Sequence, residues 1–208
     1  MKRPSYHHGN LPNALTEAAT ELAREGGPEA VVLREAARQV GVSATAAYRH
    51  FHGHGDLMHA VKEQAAAQLA RSMATELAAT PAERDPRAEA VRRLRALGRG
   101  YLRFALGEPG LFRTAFCRPD RTSGPHDAEM DLPLVAPYQM LIESIDDLVT
   151  VGIMSAARRP LAEVFAWSTV HGLAMLLIDG PLASCTAEEQ EQAIARVLDG
   201  VDASFGSR

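Results

Sequence analysis

The residues with the clearest chemical meaning lie in a short run, V-G-V-S-A-T-A-A-Y-R-H-F, at residues 40–51. Gly41 can turn the backbone sharply because it has no Cβ, and Ser43 is a strong N-cap for the helix that follows. That helix ends on Tyr48 and Arg49, whose polar, cationic and aromatic groups suit phosphates and base edges. Two short helices joined by a tight turn form a helix-turn-helix, whose second helix enters the DNA major groove. The alternative is a helical corner that binds no ligand.

The helix before this turn carries an apolar face that favours the same interpretation. Leu33, Ala36, Ala37 and Val40 recur at i, i+3, i+4 and i+7, so they share one side of a helix. Ala37 is small enough to let a second helix cross closely, and Ala47 is placed to face back onto it. The pattern predicts two helices in contact, at residues 33–40 and 44–50.

Alternating histidines follow the second helix at His50, His52 and His54, with His59 nearby. Such a pattern can bind a metal ion. However, His50 belongs to the Y-R-H-F run, and no cysteine or acidic set with ligand spacing lies near it. The sequence therefore predicts no metal site and no cofactor, with a histidine-bound metal as the alternative.

A second group with chemical potential lies near residue 170, where Trp167 and His171 share a helical face at i, i+4. Together they offer a stacking surface and one switchable hydrogen bond. The alternative is a structural pair, with His171 bonded to backbone or to an acid such as Asp179. Ser168 lies three residues before His171, but no acid is in register to orient the histidine, and no nucleophile elbow or nucleotide loop occurs. We therefore predict that the protein is not an enzyme.

The composition is that of a globular protein. The chain has 208 residues, 46% of them hydrophobic and 23% charged, with a net charge of −4. Residues 1–56 contain six basic and six acidic residues plus five histidines, so the net negative charge lies in the remainder. A local DNA-binding face on an acidic body is compatible with this distribution and predicts modest non-specific affinity.

Cysteine usage and hydropathy predict a cytoplasmic protein that does not enter a membrane. Cys117 and Cys185 lie far apart without a C-x-x-C motif, so reduced thiols are expected, and a disulfide has no support. Lys2 and Arg3 are not followed by an apolar run, so no signal peptide is predicted. No apolar run reaches the roughly 18 residues that a membrane span needs.

The elements that position these residues are all predicted to be helical, because no stretch alternates with period two. We expect an all-α fold of about nine helices. It has a three-helix N-terminal domain (residues 1–56), a long connecting helix (57–79, capped by Asp56) and a C-terminal helical domain (80–208). A proline-rich loop is predicted at residues 118–136, with the next helix beginning at Pro137.

A dimer is a physical requirement of the DNA-binding interpretation. One short helix reads few base pairs, so specific binding requires two copies about one DNA turn apart, roughly 34–36 Å. The helix at residues 161–178 is apolar nearly all round, and the last helix carries a stripe of apolar residues. A homodimer through these two helices is expected, and a central helix in a monomeric bundle is the alternative. The stripe consists of Ile194, Val197, Leu198, Val201 and Phe205.

Three segments of the chain resemble the N-terminal domain of TetR-family transcriptional regulators. They are H-H-G-N-L at residues 7–11, L-R-E-A-A-R-Q-V-G-V-S-A-T-A-A-Y-R-H-F at residues 33–51 and D-L-M-H-A-V at residues 56–61. Further on, W-S-T-V-H-G-L-A at residues 167–174 is similar to the W-x-x-x-H-G signature of one subfamily. The resemblance implies a regulator of transcription that binds a palindromic double-stranded operator as a homodimer. A helical scaffold that does not read DNA is the alternative.

The resemblance also implies roles for individual residues. In this family the positions of Tyr48 and His50 usually contact phosphates, and the position of His54 often holds a lysine that anchors phosphate. A threonine that commonly precedes the second helix is replaced here by Val32, which removes a cap. The predicted DNA-binding residues are Ser43, Thr45, Ala46, Tyr48, Arg49, His50 and His54. Tyr48 could also pack in the core.

A small-molecule pocket in the C-terminal domain is the remaining implication. Ligand binding there would tilt the long helix, change the separation of the two recognition helices and release a repressor from its operator. The candidate ligand-binding residues are Phe104, Phe112, Phe116, Met140, Trp167, His171 and Met175.

Overall fold

The structure, a computed structural model, describes residues 11–117 and 134–206. These ranges contain nine α-helices and no strand, which confirms the predicted all-α fold; two short 3-10 helices lie at Pro28–Ala30 and Ala156–Arg158. The helices are α1 (Leu11–Gly26), α2 (Leu33–Val40), α3 (Ala44–Tyr48), α4 (His54–Ala79), α5 (Pro86–Gly107), α6 (Pro109–Phe116), α7 (Val135–Thr150), α8 (Ala162–Ile178) and α9 (Ala187–Gly206). No described helix is both long enough and apolar enough to cross a membrane.

The described chain forms two compact units, and α4 contributes residues to both. The first unit contains the described residues up to 65 together with 108–117, and the second contains residues 66–107 and 134–206. The predicted C-terminal domain included helix six, whereas α6 packs against α1 in the first unit. The assignment of DNA binding to residues 1–56 and of ligand binding and dimerisation to residues 80–208 stays a prediction.

Two predicted helix starts differ from the structure. Asp56 does not cap α4, because the helix already begins at His54. The Asp56 carboxylate instead accepts a hydrogen bond from the backbone N–H of His52 at 2.8 Å, just before the helix. The seventh helix begins at Val135, not at Pro137, because a proline is tolerated in the first turn. Most of the loop predicted at residues 118–136 lies outside the described residues.

The core of the first unit is made by the inward faces of α1, α2, α3 and α6 and the start of α4. Leu15, Ala36, Ala47 and Leu57 are fully buried there. The Nζ of Lys62, on α4, donates to the carbonyl of Cys117 at 2.8 Å and so closes the C-terminal end of α6. Small residues at the crossings let these short helices approach one another, as the alanine pattern of α2 predicts.

At Gly110, α6 comes very close to the backbone of α1. A Cβ at this position would overlap the carbonyl oxygens of Ala23 and Arg24 in the last turn of α1. Arg24 also forms an ion pair with Glu108, immediately before α6. The α1–α6 contact therefore depends on the absence of a Cβ at Gly110 and on the ion pair between Arg24 and Glu108.

We expect Gly110→Ala to lower the free energy of unfolding by about 3 kcal/mol, because rigid backbone atoms cannot move aside for the methyl group. Urea denaturation followed by circular dichroism measures this change. Gly107→Ala is the matched control, since a Cβ on Gly107 would meet nothing within 4 Å. Equal stability of the two variants would contradict the close α1–α6 contact.

In the second unit, α5 packs against α7, α8 and α9. Its buried cluster includes Leu94 from α5, Ile145 from α7, Ala166 from α8 and Phe205 from α9. Arg95 on α5 binds Asp202 on α9 at 2.8 Å. Helix α5 is therefore the helix against which α7, α8 and α9 pack.

Most side chains of the predicted apolar stripe of α9 are buried within the second unit. Ile194, Leu198, Val201 and Phe205 are each less than 9% exposed. A homodimer was predicted to use this stripe. That part of the prediction is wrong, because these four side chains fill the core of the second unit. A dimer that uses α9 must contact its outward-facing residues.

Several apolar side chains on the outer side of α8 are exposed in the part of the chain that the structure describes. A helix that is apolar nearly all round is expected to be buried on both sides, but residues 11–117 and 134–206 bury only the inward side of α8. Leu161, at the N-cap of α8, is 70% exposed, and four residues within the helix are 38% to 47% exposed. These four are Val164, Phe165, Met175 and Leu176. We call the five residues the α8 outer face.

Candidate DNA-binding surface and ligand site

The turn between α2 and α3 has the geometry that the sequence predicts. Gly41 adopts a left-handed conformation with φ 78° and ψ 28°, a region that favours glycine. The Val42 N–H then donates to the carbonyl of Ala37 at 3.0 Å. The Ser43 hydroxyl accepts from the backbone N–H of Ala46 at 3.2 Å, so the predicted N-cap is confirmed.

The helix that follows has one buried side and one exposed side. Ala47 is completely buried against the rest of the first unit, as predicted, whereas Tyr48 is 44% exposed. Much of the tyrosine ring therefore lies outside the core. The other predicted DNA-binding residues are also accessible: Ala46 is half-buried, and Ser43, Thr45, Arg49, His50 and His54 are exposed. The helix ends at Tyr48, so His50 lies in the turn after it.

Positive charge is distributed unevenly around this surface. Arg38 on α2 binds both carboxylate oxygens of Glu35, at distances from 2.6 to 3.1 Å. This hydrogen bonding lowers the pKa of Glu35 and raises the pKa of Arg38. The charge of Arg38 is thus locally compensated, and the exposed guanidinium groups of Arg34 and Arg49 offer cationic groups to a phosphate.

Val32 leaves the start of α2 without a side-chain cap. Its backbone has φ −122° and ψ 119°, the extended geometry of an N-cap, but no side-chain cap hydrogen bond is present. We expect Val32→Thr to raise the free energy of unfolding by about 1 kcal/mol, because a hydroxyl there can accept from an N–H of the first turn. Thermal unfolding measures this gain, with Val32→Ala as the control that offers no hydroxyl. If Val32→Thr has the same unfolding temperature as the wild type, the interpretation that α2 lacks a stabilising N-cap is contradicted.

The histidines near α3 are surface residues. His50, His52, His54 and His59 are all exposed. Within residues 11–117 and 134–206, no three histidine, cysteine or acidic residues form a group that could hold a metal ion. The four histidine rings lie exposed near the predicted DNA-binding helix.

Trp167 and His171 meet a third side chain, Tyr101 on α5. The Tyr101 hydroxyl lies 2.8 Å from His171 Nδ1, and Trp167 Nε1–H donates to the same hydroxyl at 3.2 Å. The Trp167 ring also packs edge-on against Tyr138 of α7, with centroids 5.7 Å apart. We call Tyr101, Tyr138, Trp167 and His171 the aromatic cluster. Sequence analysis did not connect Tyr101 with this pair, because Tyr101 and His171 are 70 residues apart in the chain.

Burial sets the protonation of the cluster. Tyr101 is only 6% exposed, and desolvation raises the pKa of its hydroxyl. Desolvation also lowers the pKa of His171. Both shifts favour the neutral forms, so a neutral phenol and a neutral imidazole face each other at pH 7.

The remaining predicted ligand-binding residues are not all in one place. Phe104 is buried on α5, whereas Met175 is 38% exposed on the α8 outer face. Met140 is half-buried on α7. Phe112 and Phe116 belong to the first unit, where their ring centroids are 4.8 Å apart. The second unit therefore brings Trp167 and His171 together, and the role of the full set stays a prediction.

Ser168 does not engage the neighbouring histidine. Its hydroxyl donates to the backbone carbonyl of Phe165 at 3.0 Å, while His171 Nδ1 bonds to Tyr101. The serine–histidine pair considered as an enzymatic alternative is therefore not formed.

Two family sequence models match this chain. The model described as bacterial regulatory proteins, tetR family, matches residues 15–61. The model described as tetracyclin repressor-like, C-terminal domain, matches residues 94–201, more than half of the chain. None of the curated proteins compared is a match for this sequence.

Solved structures with the same fold extend over nearly the whole chain. A protein of unknown function from Rhodococcus sp. RHA1 is 23% identical, with a TM-score of 0.77, and the match covers 99% of this chain and 100% of the other. A single-substitution variant of TetR from Acinetobacter baumannii AYE, in complex with minocycline, is 19% identical, with a TM-score of 0.63 and coverage of 98% and 100%. FadR from Bacillus subtilis, in complex with stearoyl-CoA, is 14% identical, with a TM-score of 0.65 and coverage of 94% and 97%. With both family models matched in order along one all-helical chain, the protein belongs to the TetR family of DNA-binding transcriptional regulators.

Proposed function

We propose that the protein is a sequence-specific repressor that a small-molecule ligand releases from its operator. The observation that carries the DNA-binding part is the geometry of α3. Its buried Ala47 fixes the helix against the first unit, and the Ser43 cap fixes its start. The opposite side presents Thr45 and Tyr48 to solvent. A short, capped helix with an exposed polar side is the kind of element that enters a major groove.

Each predicted residue has a chemical role in such a complex. Thr45 and Ala46 offer methyl groups that can contact thymine, and Arg49 can bind guanine or phosphate. Tyr48, His50 and His54 are assigned to phosphates, which position the protein without reading sequence. Ser43 lies at a helix N-terminus, where anions are favoured.

A homodimer completes the proposal, because one α3 is too short for useful specificity. The α8 outer face supplies the contact, because its five apolar side chains are 38% to 70% exposed among the described residues of the single chain. Packing such a face against its own copy about a twofold axis forms a four-helix interface together with α9. We propose this arrangement for the protein, with a palindromic operator as its consequence.

We propose that the ligand that releases the protein from its operator binds to the second unit. The similar structures include one holding minocycline and one holding stearoyl-CoA, so the fold accommodates small molecules. The aromatic cluster lies in the second unit, and α4 contributes residues to both units. A ligand with different affinities for two arrangements of α4 would shift the population that binds DNA. Because the operator would lie on the chromosome, we expect the protein to act in the cytoplasm.

The test of this function is selection from a randomised duplex library by the purified full chain at two salt concentrations. Enrichment of a palindrome, with binding that weakens steeply as salt rises, is the expected result. Binding without sequence preference at low salt would contradict a specific regulator. Once an operator is selected, compounds that release the protein from it identify the ligand.

A further inference from the structure

Two small residues, Ser168 and Gly172, separate the two halves of the α8 outer face. Both are exposed, and three of the five apolar residues precede them in the chain while two follow. A Cβ on Gly172 would meet nothing within 4 Å among the described residues. Glycine in the interior of a helix lowers helix stability, and packing within the described chain does not require one here. A glycine at this place lets the backbone of another helix approach closely.

The hydroxyl groups on this side of α8 are already hydrogen-bonded, so burying them carries little cost. Those of Ser168 and Thr169 both donate to the carbonyl of Phe165, at 3.0 and 2.7 Å. Glu163 is the only Asp, Glu, Lys or Arg in α8, and its carboxylate is ion-paired with Arg159. Charged residues are depleted from the cores of protein interfaces, and a buried polar group without a hydrogen bond is costly. The exposed side of α8 therefore has the composition of an interface core.

The order of side chains along this side of α8 is symmetric about position 170. Counting outward from that position, small residues correspond to small ones and large apolar residues to large ones. The corresponding pairs are Ser168 with Gly172, Phe165 with Met175, and Val164 with Leu176. When two identical helices pack antiparallel about a twofold axis at this position, each residue lies opposite its counterpart on the second copy. The pattern is thus complementary to itself.

We propose that the two subunits of the dimer meet through antiparallel copies of α8, which cross where Ser168 of one copy lies against Gly172 of the other. Phe165 of each copy then packs against Met175 of the other. The Phe165 ring rests on Phe205 of its own chain, with centroids 5.8 Å apart, and is still 46% exposed. Antiparallel packing also places the positive N-terminal end of each helix beside the negative C-terminal end of the other. This register rests on the homodimer of the proposed function and adds the residues that meet.

The register is tested by disulfide cross-linking of the full chain, in a background with Cys117→Ser and Cys185→Ser that sedimentation velocity checks for the dimer. Phe165→Cys/Met175→Cys adds two cysteines that are about 15 Å apart along one helix, too far to bond within one chain. We expect this double variant to form covalent dimers on mild oxidation, whereas Phe165→Cys alone and Met175→Cys alone do not. Cross-linking of the single variants would indicate parallel helices and overturn the register.

Gly172→Ala tests the close crossing in a protein that keeps its native cysteines. In the single chain the alanine should strengthen α8, because its methyl group meets nothing there. In the dimer the same group would push the two backbones apart, so the dimer dissociation constant should rise about tenfold. Gly107→Ala is the matched control, since a Cβ on Gly107 also meets nothing within 4 Å but lies on α5. An unchanged dissociation constant in Gly172→Ala would overturn the crossing.

Failure of the register and failure of the homodimer give different results. A wild-type protein that sediments as a dimer, together with a double-cysteine variant that does not cross-link, would overturn the register and leave the proposed homodimer standing. A wild-type protein that sediments as a monomer at micromolar concentration would contradict the homodimer and the register together.

Discussion

The variant Tyr48→Ala/Arg49→Ala is expected to bind the selected operator about a thousandfold more weakly than the wild type. Each phosphate or base contact in a protein–DNA complex contributes about 1 to 3 kcal/mol. Two contacts in each of two subunits, at the lower value, correspond to about 4 kcal/mol, which is about a thousandfold in affinity. Fluorescence anisotropy with the labelled duplex measures the loss.

The fold should survive these two substitutions. Tyr48 is 44% exposed, and Arg49 lies at the C-cap of α3 with its side chain in solvent. Circular dichroism and the unfolding temperature are expected to match the wild type. Arg71→Ala is the control, because Arg71 is an exposed arginine on α4 in the second unit. Wild-type affinity in the double variant would show that α3 does not contact the operator.

Leu176→Asp is expected to convert the protein to a monomer. Leu176 is 44% exposed on the α8 outer face, so the aspartate is harmless in the single chain. In a twofold dimer the same substitution buries an unpaired carboxylate in each subunit. Unpaired buried charges cost several kcal/mol each, so the dimer dissociation constant should rise by at least about a thousandfold.

Sedimentation velocity at micromolar concentration distinguishes the two masses, and operator binding should fall with the loss of the dimer. Val135→Asp is the matched control, because Val135 is 66% exposed but lies on α7. A Leu176→Asp protein that sediments as a dimer would contradict an interface through the α8 outer face.

Local chemistry explains why the turn before α3, the proposed DNA-binding helix, was predictable. The positive φ of Gly41 and the hydroxyl of Ser43 act within one turn of the residues they control. These contacts are local in sequence, so the end of α2 and the start of α3 agree with the prediction. Asp56 shows the limit of this reasoning: the carboxylate does accept from a backbone N–H, but the helix begins three residues earlier than predicted.

Other features depend on contacts that a linear pattern does not reveal. The closeness of Gly110 to Ala23 and Arg24 becomes visible only in three dimensions. An apolar stripe on α9 fits a core and an interface equally well, and burial of Val201 and Phe205 decides for the core. The contact between His171 and Tyr101 joins two helices far apart in the chain, so it also required the structure.

The reading of DNA by two copies of α3 is tested by titrating the wild-type protein with two duplexes. One carries the complete selected palindrome, and the other carries the same sequence with one half-site scrambled. If paired α3 helices read the operator, we expect the second duplex to bind at least about a hundredfold more weakly, with affinity approaching the non-specific level. Equal affinity for the two duplexes would contradict recognition by a symmetric dimer.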